Sequence, residues 1–359
     1  MQALQIYAGP RALEHITRHG LSATDVHTIS AAAGGPKGLL LGPLDRFIFG
    51  EWLAASQHPV DLIGASIGAW RMATACLSQP VAALQRLEHD YIHQHYEAPP
   101  GRKRPSADQV SETFGRTIAS FYQGRVDELL NQERYRLHIV TSRGRHLLQR
   151  ERGLRAPLGY LGAFLTNAVH RKAMGAWLER VVFSNVAGKP LPFGTHDFRT
   201  RQVQLTSDNF QPALQASCSI PFVLRAVHDI PGAPRGAYWD GGITDYHLHL
   251  DYAGARPEGI VLYPHFQQAV VPGWLDKSLK WRHKSTPFLD TTLLLAPRPE
   301  WVKTLPRGKL PDRNDFTYFG PDLAGRVKAW TAATSASQQL ADEFAEWLRR
   351  PDLRQVLPL

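Results

Sequence analysis

The chain has 359 residues, 43% hydrophobic and 20% charged, which suits a folded body with a large buried core and excludes a disordered or fibrous chain. The formal net charge is +9, and the two cysteines, Cys76 and Cys218, lie in runs of apolar or small residues, which excludes a disulfide framework and paired-cysteine metal motifs. No apolar run reaches the ~18 residues of a membrane span, and residues 1–20 lack the basic and apolar regions of a secretory signal, so the expected compartment is the cytoplasm.

In chain order, Val26, Ile29 and the alanines Ala31 to Ala33 suit a narrow buried strand. The run Ser30-Ala31-Ala32-Ala33-Gly34-Gly35-Pro36-Lys37-Gly38 then breaks it with glycines. Leu39 to Leu53 reads as a helix with Pro43 near its first turns. Val60, Leu62 and Ile63 end a second buried strand, and Ile67 to Leu77 forms a helix that stops before Pro80. Between strand and helix stands Gly64-Ala65-Ser66-Ile67-Gly68. A serine in a G-x-S-x-G strand-to-helix turn presents its Oγ at the sheet edge above a helix N-terminus, and Gly64 and Gly68 let the turn close. A strand-helix-strand unit makes the two strands parallel, so both turns fall at one carboxyl edge, where open α/β sheets bind ligands. Backbone N–H groups of the Gly34, Gly35, Lys37, Gly38 turn then face a carbonyl attacked by Ser66, which is the geometry of an oxyanion hole. The other reading of that turn is a phosphate loop, but neither G-x-G-x-x-G nor G-x-x-x-x-G-K-[ST] is present.

Further along, His89 and His93 share a helix face, with His95 nearby. Residues 99–106 read as a Pro/Gly/Arg-rich loop carrying Arg102-Lys103-Arg104. Val110, Phe114, Ile118 and Phe121 recur at helical spacing, and Leu137 to Thr141 reads as a core strand. Leu158 to Val182 reads as a helical pair or one interrupted helix, whose Tyr160, Leu161, Phe164 and Leu165 pack in the core or line an apolar pocket. In Tyr238-Trp239-Asp240-Gly241-Gly242 a carboxylate ends an aromatic run before a tight loop. Alone this is an ordinary turn, yet it is the best candidate for the base that a serine nucleophile needs. Asp245, His247, His249 and Asp251 alternate, and on a strand they share one face. Such a set suits zinc or iron, and the plainer reading is a polar strand face. Ile260 to Tyr263 is a late strand.

The stretch Trp274 to Lys284 mixes Lys277, Lys280, Arg282 and Lys284 with Trp274 and Trp281. It suits either an anionic lipid surface or a solvated basic face, and no nucleic-acid module is recognisable. Residues 296–321 are proline-rich and read as an extended wrap. Leu323, Val327, Trp330, Thr334, Ser337, Ala341, Phe344 and Leu348 then mark one face of a long amphipathic helix, expected to dock on the body.

Gly-Gly-x-Lys-Gly at 34–38, Gly-x-Ser-x-Gly at 64–68 and Asp-Gly-Gly at 240–242, in that order, resemble the patatin-like phospholipases. Residues 213–222 (Ala-Leu-Gln-Ala-Ser-Cys-Ser-Ile-Pro-Phe) look like the segment before that family's Asp-Gly-Gly loop, so the resemblance spans residues 26 to 245. It implies a three-layer α/β/α fold and a Ser–Asp dyad without histidine. Ser66 is then the nucleophile, Asp240 the base, and the amides around Gly34 and Gly35 the oxyanion hole. Gly64, Gly68, Gly241 and Gly242 support the turns. The family's glycine turn often opens with Asp and carries Arg, where this chain has Ala33 and Lys37. Lys keeps the charge of Arg without its planar fork. The implied organisation is a catalytic domain over 1–295, with a possible lid insertion at 99–135, followed by a C-terminal wrap and helix over 296–359. The implied activity is hydrolysis of carboxylic esters, with lipid acyl esters as substrates, no cofactor, and possible peripheral contact with an anionic membrane. Two other readings stay open: a Ser-His-Asp esterase of small substrates drawing on His247, His249 or His265, and a patatin-fold binding protein without turnover.

Overall fold

The structure is a computed structural model that describes residues 1–97, 105–151, 155–186 and 188–359. Eleven strands among the described residues belong to one mixed sheet. They are β1 (Leu4–Ala8), β2 (Val26–Ala31), β3 (Val60–Ala65), β4 (Tyr135–Gly144), β5 (Leu178–Ser184), β6 (Thr200–Gln204), β7 (Val227–His228), β8 (Ala237–Asp240), β9 (Ile260–Pro264), β10 (Thr292–Pro297) and β11 (Val356–Pro358). The order across the sheet is β11-β1-β10-β9-β2-β3-β4-β5-β6, with β8 set against β4 and β7 against β8. The centre, β10-β9-β2-β3-β4, is parallel, whereas β1 runs antiparallel to β10 and β5 antiparallel to β4. This is an α/β fold in three layers.

Alternation along the strands builds two cores. Ile29, Ala31, Leu62, Leu137 and Ile139 face one side, where helices Ile67–Ala75, Ala107–Tyr122 and Ser207–Ser217 cover them. Ile63, Ala65, Val140, Val261 and Tyr263 face the other, under Leu248, Leu250, Tyr252, Phe266 and Leu289. Every residue of β3 is buried, as expected of a central parallel strand covered on both faces.

The anticipated strand-helix-strand unit is present. β2 and β3 are parallel neighbours, and the helical run between them begins at Gly35, earlier than Leu39, and changes pitch along its length up to Ala55. Helix Ala107–Tyr122 buries Val110, Phe114, Ile118 and Phe121 in the main core, with Phe114 and Phe121 against Trp70, so it is built into the body. Arg102, Lys103 and Arg104 lie outside the described residues.

Four expectations need correction. Residues 296–321 are not an extended wrap: β10 runs to Pro297, and helices Pro299–Val302 and Asn314–Phe319 follow. Leu158 to Val182 is not all helical: helix Arg155–Val169 and a short turn over Arg171–Ala176 give way to β5 at Leu178. The β-branched residues Val181 and Val182 pair with β4 and bury on both faces, which overrides a helical reading. Asp245 to Asp251 is not a strand, so its alternation does not define a face. The C-terminal stripe forms two helices, Leu323–Ala336 and Gln338–Arg349, joined at Ser337. It does dock on the body, and β11 beyond it pairs with β1, so the last segment completes the sheet edge.

Candidate active site

The register of β4 brings the serine and the aspartate together. Along one side of β4, Val140 is paired with Ala65 at the end of β3, and the next residue, Thr141, is paired with Asp240 at the end of β8. β3 arrives parallel to β4 and β8 antiparallel, so their C-terminal ends point at each other. The residue after Ala65 is Ser66, and its Oγ donates to Asp240 Oδ2 at 2.7 Å. Asp240 Oδ1 accepts the Gly242 N–H at 2.7 Å. Ser66 and Asp240 are 3% and 5% exposed, so the pair is shielded from bulk water.

The turn at Ser66 is strained, with φ 57° and ψ −129°. A non-glycine residue held in this region costs about 1–3 kcal/mol and persists only where its surroundings enforce it. Here the helix beneath is pressed against β2: a Cβ at Gly68 would lie 1.9 Å from the Ala31 carbonyl oxygen. The Ser66 N–H is fixed by the Ser217 hydroxyl at 3.0 Å, which in turn donates to the Val140 carbonyl at 2.7 Å. Two residues on, the Ser219 carbonyl accepts the Asp240 N–H at 2.9 Å. The end of helix Ser207–Ser217 therefore holds both members of the pair. Residues 213–222 stood out in the sequence, but nothing there distinguished Ser217 from Ser219.

The glycine turn lies against both motifs. Gly38 abuts Ile67, the first residue of the serine helix, and Gly242 abuts Ala33. Gly35 has φ 56°, the left-handed region that favours glycine. Among the described residues the Gly34 N–H has no protein acceptor, and Gly35 and Ile67 stand first in their helices, where N–H groups lack intrahelical partners. Pro36 contributes none. A buried pair joins the two helical segments: Arg71 donates to both oxygens of Asp45 at 2.6 and 2.7 Å. Lys37 turns its ammonium over the Phe266 ring, 5.0 Å from the centroid.

Burial raises the Asp240 carboxyl above its ordinary value, while Arg313, hydrogen bonds from Ser66 and Gly242, and Lys277 pull it partly back. Cys218, beside the pair, is a buried free thiol pushed well up by burial.

The histidines serve other purposes. Among the described residues none is hydrogen-bonded to Ser66 or Asp240. His249 meets the Val270 carbonyl and the Thr286 hydroxyl. His247 meets the Ala269 carbonyl and the Val271 N–H, and His265 meets the Gln267 backbone. Burial holds all three neutral, pushing His249 down to about 4 and His265 down to about 3. Asp245 is taken by Arg180 at 2.6 Å, and Asp251 accepts the Gly254 N–H. His89 and His93 stack at 4.2 Å on a helix face and, with His95, border a cleft of about 260 Å³ that neither Ser66 nor Asp240 lines. Among the described residues no group of three or more His, Cys, Asp or Glu side chains could hold a metal ion.

Arg313 and Tyr246, whose ring lies against Gly242, were missed in the sequence. Arg313 sits in the proline-rich stretch, far in sequence from any motif, and its Nε approaches Gly35, 3.2 Å from where a Cβ would stand. No helix among the described residues is long and apolar enough to cross a membrane. The chain matches no known family model, and no curated protein is similar to it.

Proposed function

We propose that this chain is a serine hydrolase of patatin-like type that cleaves carboxylic esters, with lipid acyl esters as its substrates. The observation that carries the reading is the buried 2.7 Å contact between Ser66 Oγ and Asp240 Oδ2 at a strained strand-to-helix turn. In the reaction Ser66 Oγ attacks the ester carbonyl as its proton passes to Asp240. The tetrahedral oxyanion is met by N–H groups of Gly34, Gly35 and Ile67. Asp240 returns the proton to the departing alcohol, leaving Ser66 acylated. Water then attacks the acyl-enzyme, its proton passing to Asp240 and on to Ser66 as the carboxylic acid leaves. A carboxylate is a weak base near neutrality, and burial that raises Asp240 narrows the gap.

The lipid part of the reading is supported by an exposed apolar face. Leu158, Leu161 and Leu165 of helix Arg155–Val169 are each more than half exposed, as are Phe222 and Trp281. Phe222 touches this helix through Tyr160, at 5.9 Å between ring centroids. Tyr160 in turn faces Trp239, the neighbour of Asp240. At the other end Arg282, next to Trp281, donates to Asn167 and to the Ala168 carbonyl. The face thus runs from beside the dyad to the exposed lysines Lys280 and Lys284. Apolar side chains rimmed by cations suit an anionic lipid surface.

The test is hydrolysis of nitrophenyl esters of rising chain length by the wild type and by Asp240→Asn. Turnover that rises with chain length and is lost in the variant supports the reading. No turnover on any ester, monomeric or in vesicles, rejects it in favour of a binding protein.

A further inference from the structure

Three cations that form no ion pair among the described residues converge on the rim of the dyad. The Lys37 ammonium lies over Phe266, whose ring is the nearest neighbour of Gly34. The Arg313 guanidinium lies against Gly35. The Lys277 ammonium lies 4.0 Å from the centroid of the Tyr246 ring, and that ring touches Gly242. The three therefore border the glycine turn on one side and the Asp240 loop on the other. None has an ion-pair partner among the described residues, whereas neighbouring Lys309 is held by Asp312 and Asp315 at 2.8 Å each. Like charges gathered without an anion repel one another. Desolvation first, and then repulsion from Arg313 and Lys37, brings Lys277 down to about 8. The carboxylate that Lys37 feels most is Asp312, which is held by Lys309, and the one that Lys277 feels is Asp240, which is buried and already accepts from Ser66 and Gly242. Most other arginines near the centre are spent on carboxylates: Arg71 on Asp45, Arg180 on Asp245 and Asp197, Arg282 on Asp276.

We propose that Lys37, Lys277 and Arg313 form an anion subsite beside Ser66, so that the ester taken here carries a phosphate or carboxylate close to its scissile carbonyl. This rests on the hydrolase reading and narrows its substrate class. The cations border opposite sides of the dyad, so an anionic group on either the acyl or the alcohol portion falls within their field. Binding is then charge-assisted and weakened by salt.

The experiment compares matched esters at low and high salt. The soluble pair is mono-nitrophenyl glutarate against nitrophenyl butyrate, and the lipid pair is dihexanoyl phosphatidic acid against dihexanoylglycerol, all below micelle formation. The readout is the ratio of kcat/KM for the anionic over the neutral member, in the wild type, in Lys277→Gln/Arg313→Gln and in Arg313→Lys. The expected wild-type ratio is about tenfold or more at low salt, shrinking at high salt and in the double variant, and largely kept in Arg313→Lys. A preference in the lipid pair alone identifies a headgroup, and one in both pairs a free anionic ester. A wild-type ratio of one or less in both pairs, while a fluorophosphonate probe still labels Ser66, overturns the subsite and leaves the hydrolase standing. If Ser66 is not labelled and no ester turns over, the hydrolase reading fails. The subsite is then judged by calorimetric binding of inorganic phosphate: binding lost in the double variant supports it, and no binding by the wild type overturns it.

Discussion

The Ser217 hydroxyl accepts the N–H of Ser66 at 3.0 Å and donates to Val140 at 2.7 Å, so the backbone of the proposed nucleophile hangs from a side chain 151 residues away in sequence. Ser217→Ala leaves a buried N–H without a partner, at a cost of about 1–3 kcal/mol. The strained turn at Ser66 is then free to relax. The expected result is a lowered denaturation midpoint together with a kcat that falls more than KM rises, since Ser217 touches no substrate. A midpoint shift with kcat intact contradicts a positioning role.

Strain at Ser66 yields a contrast between two inactive variants. Glycine adopts φ 57° freely and alanine does not. Ser66→Gly should therefore be more stable than Ser66→Ala by about 1–3 kcal/mol, the reverse of the usual order of these residues. Denaturant unfolding of the pair checks this.

Asp240 is expected to trade stability for chemistry. Its pKa is raised in the folded chain, so its stabilising contribution is present at acid pH and is lost as pH rises through the folded value. Asp240→Asn, which cannot ionise, should exceed the wild type in stability at neutral pH, and the gain should vanish in acid. Turnover should fall about 10²–10⁴-fold. The wild-type activity profile should have an acidic limb above the ordinary aspartate value. That limb should move further up in Arg313→Gln, because Arg313 is the strongest influence pulling Asp240 down. A limb that moves down instead contradicts this electrostatic account.

The Arg71–Asp45 pair ties the glycine-turn segment to the serine helix, with both side chains buried. Asp45→Ala leaves a buried guanidinium unpaired, at a cost of about 3–5 kcal/mol. Because Gly38 and Ile67 meet beside this pair, residual activity at full folding should also drop. Kinetics at low temperature, where the variant stays folded, separate the two effects.

On the exposed helix, Leu161→Asp/Leu165→Asp should lower the ratio of hydrolysis in anionic vesicles to hydrolysis of monomeric ester. An unchanged ratio removes this helix from the proposed lipid-facing surface.

The parallel strands and both glycine turns were legible because short-range rules govern them: Val26, Ile29 and Ala31 mark β2, Val60, Leu62 and Ile63 mark β3, and Gly64 and Gly68 flank a serine between strand and helix. Asp240 was legible only through its company in the chain, since Asp-Gly-Gly alone reads as a turn. Its approach to Ser66 depends on β8 taking up the line of β3 along β4, a long-range pairing that leaves no local pattern. The same holds for Arg313, delivered just ahead of the short helix Asn314–Phe319. Asp245 to Asp251 misled because alternation was read as a strand, whereas the segment is looped and its polar groups are bonded one by one to separate partners. Leu161 and Leu165 misled because apolar helical spacing ordinarily faces a core, and here that face is open.

The most direct measurement is reaction of the purified protein with a fluorophosphonate, followed by mass spectrometry of the modified peptide. The account predicts a single adduct on Ser66, formed far more slowly in Asp240→Asn and at an undiminished rate in His247→Ala and His265→Ala. An adduct on another residue, or labelling of Ser66 that is indifferent to Asp240 and lost with either histidine, contradicts the Ser66–Asp240 dyad.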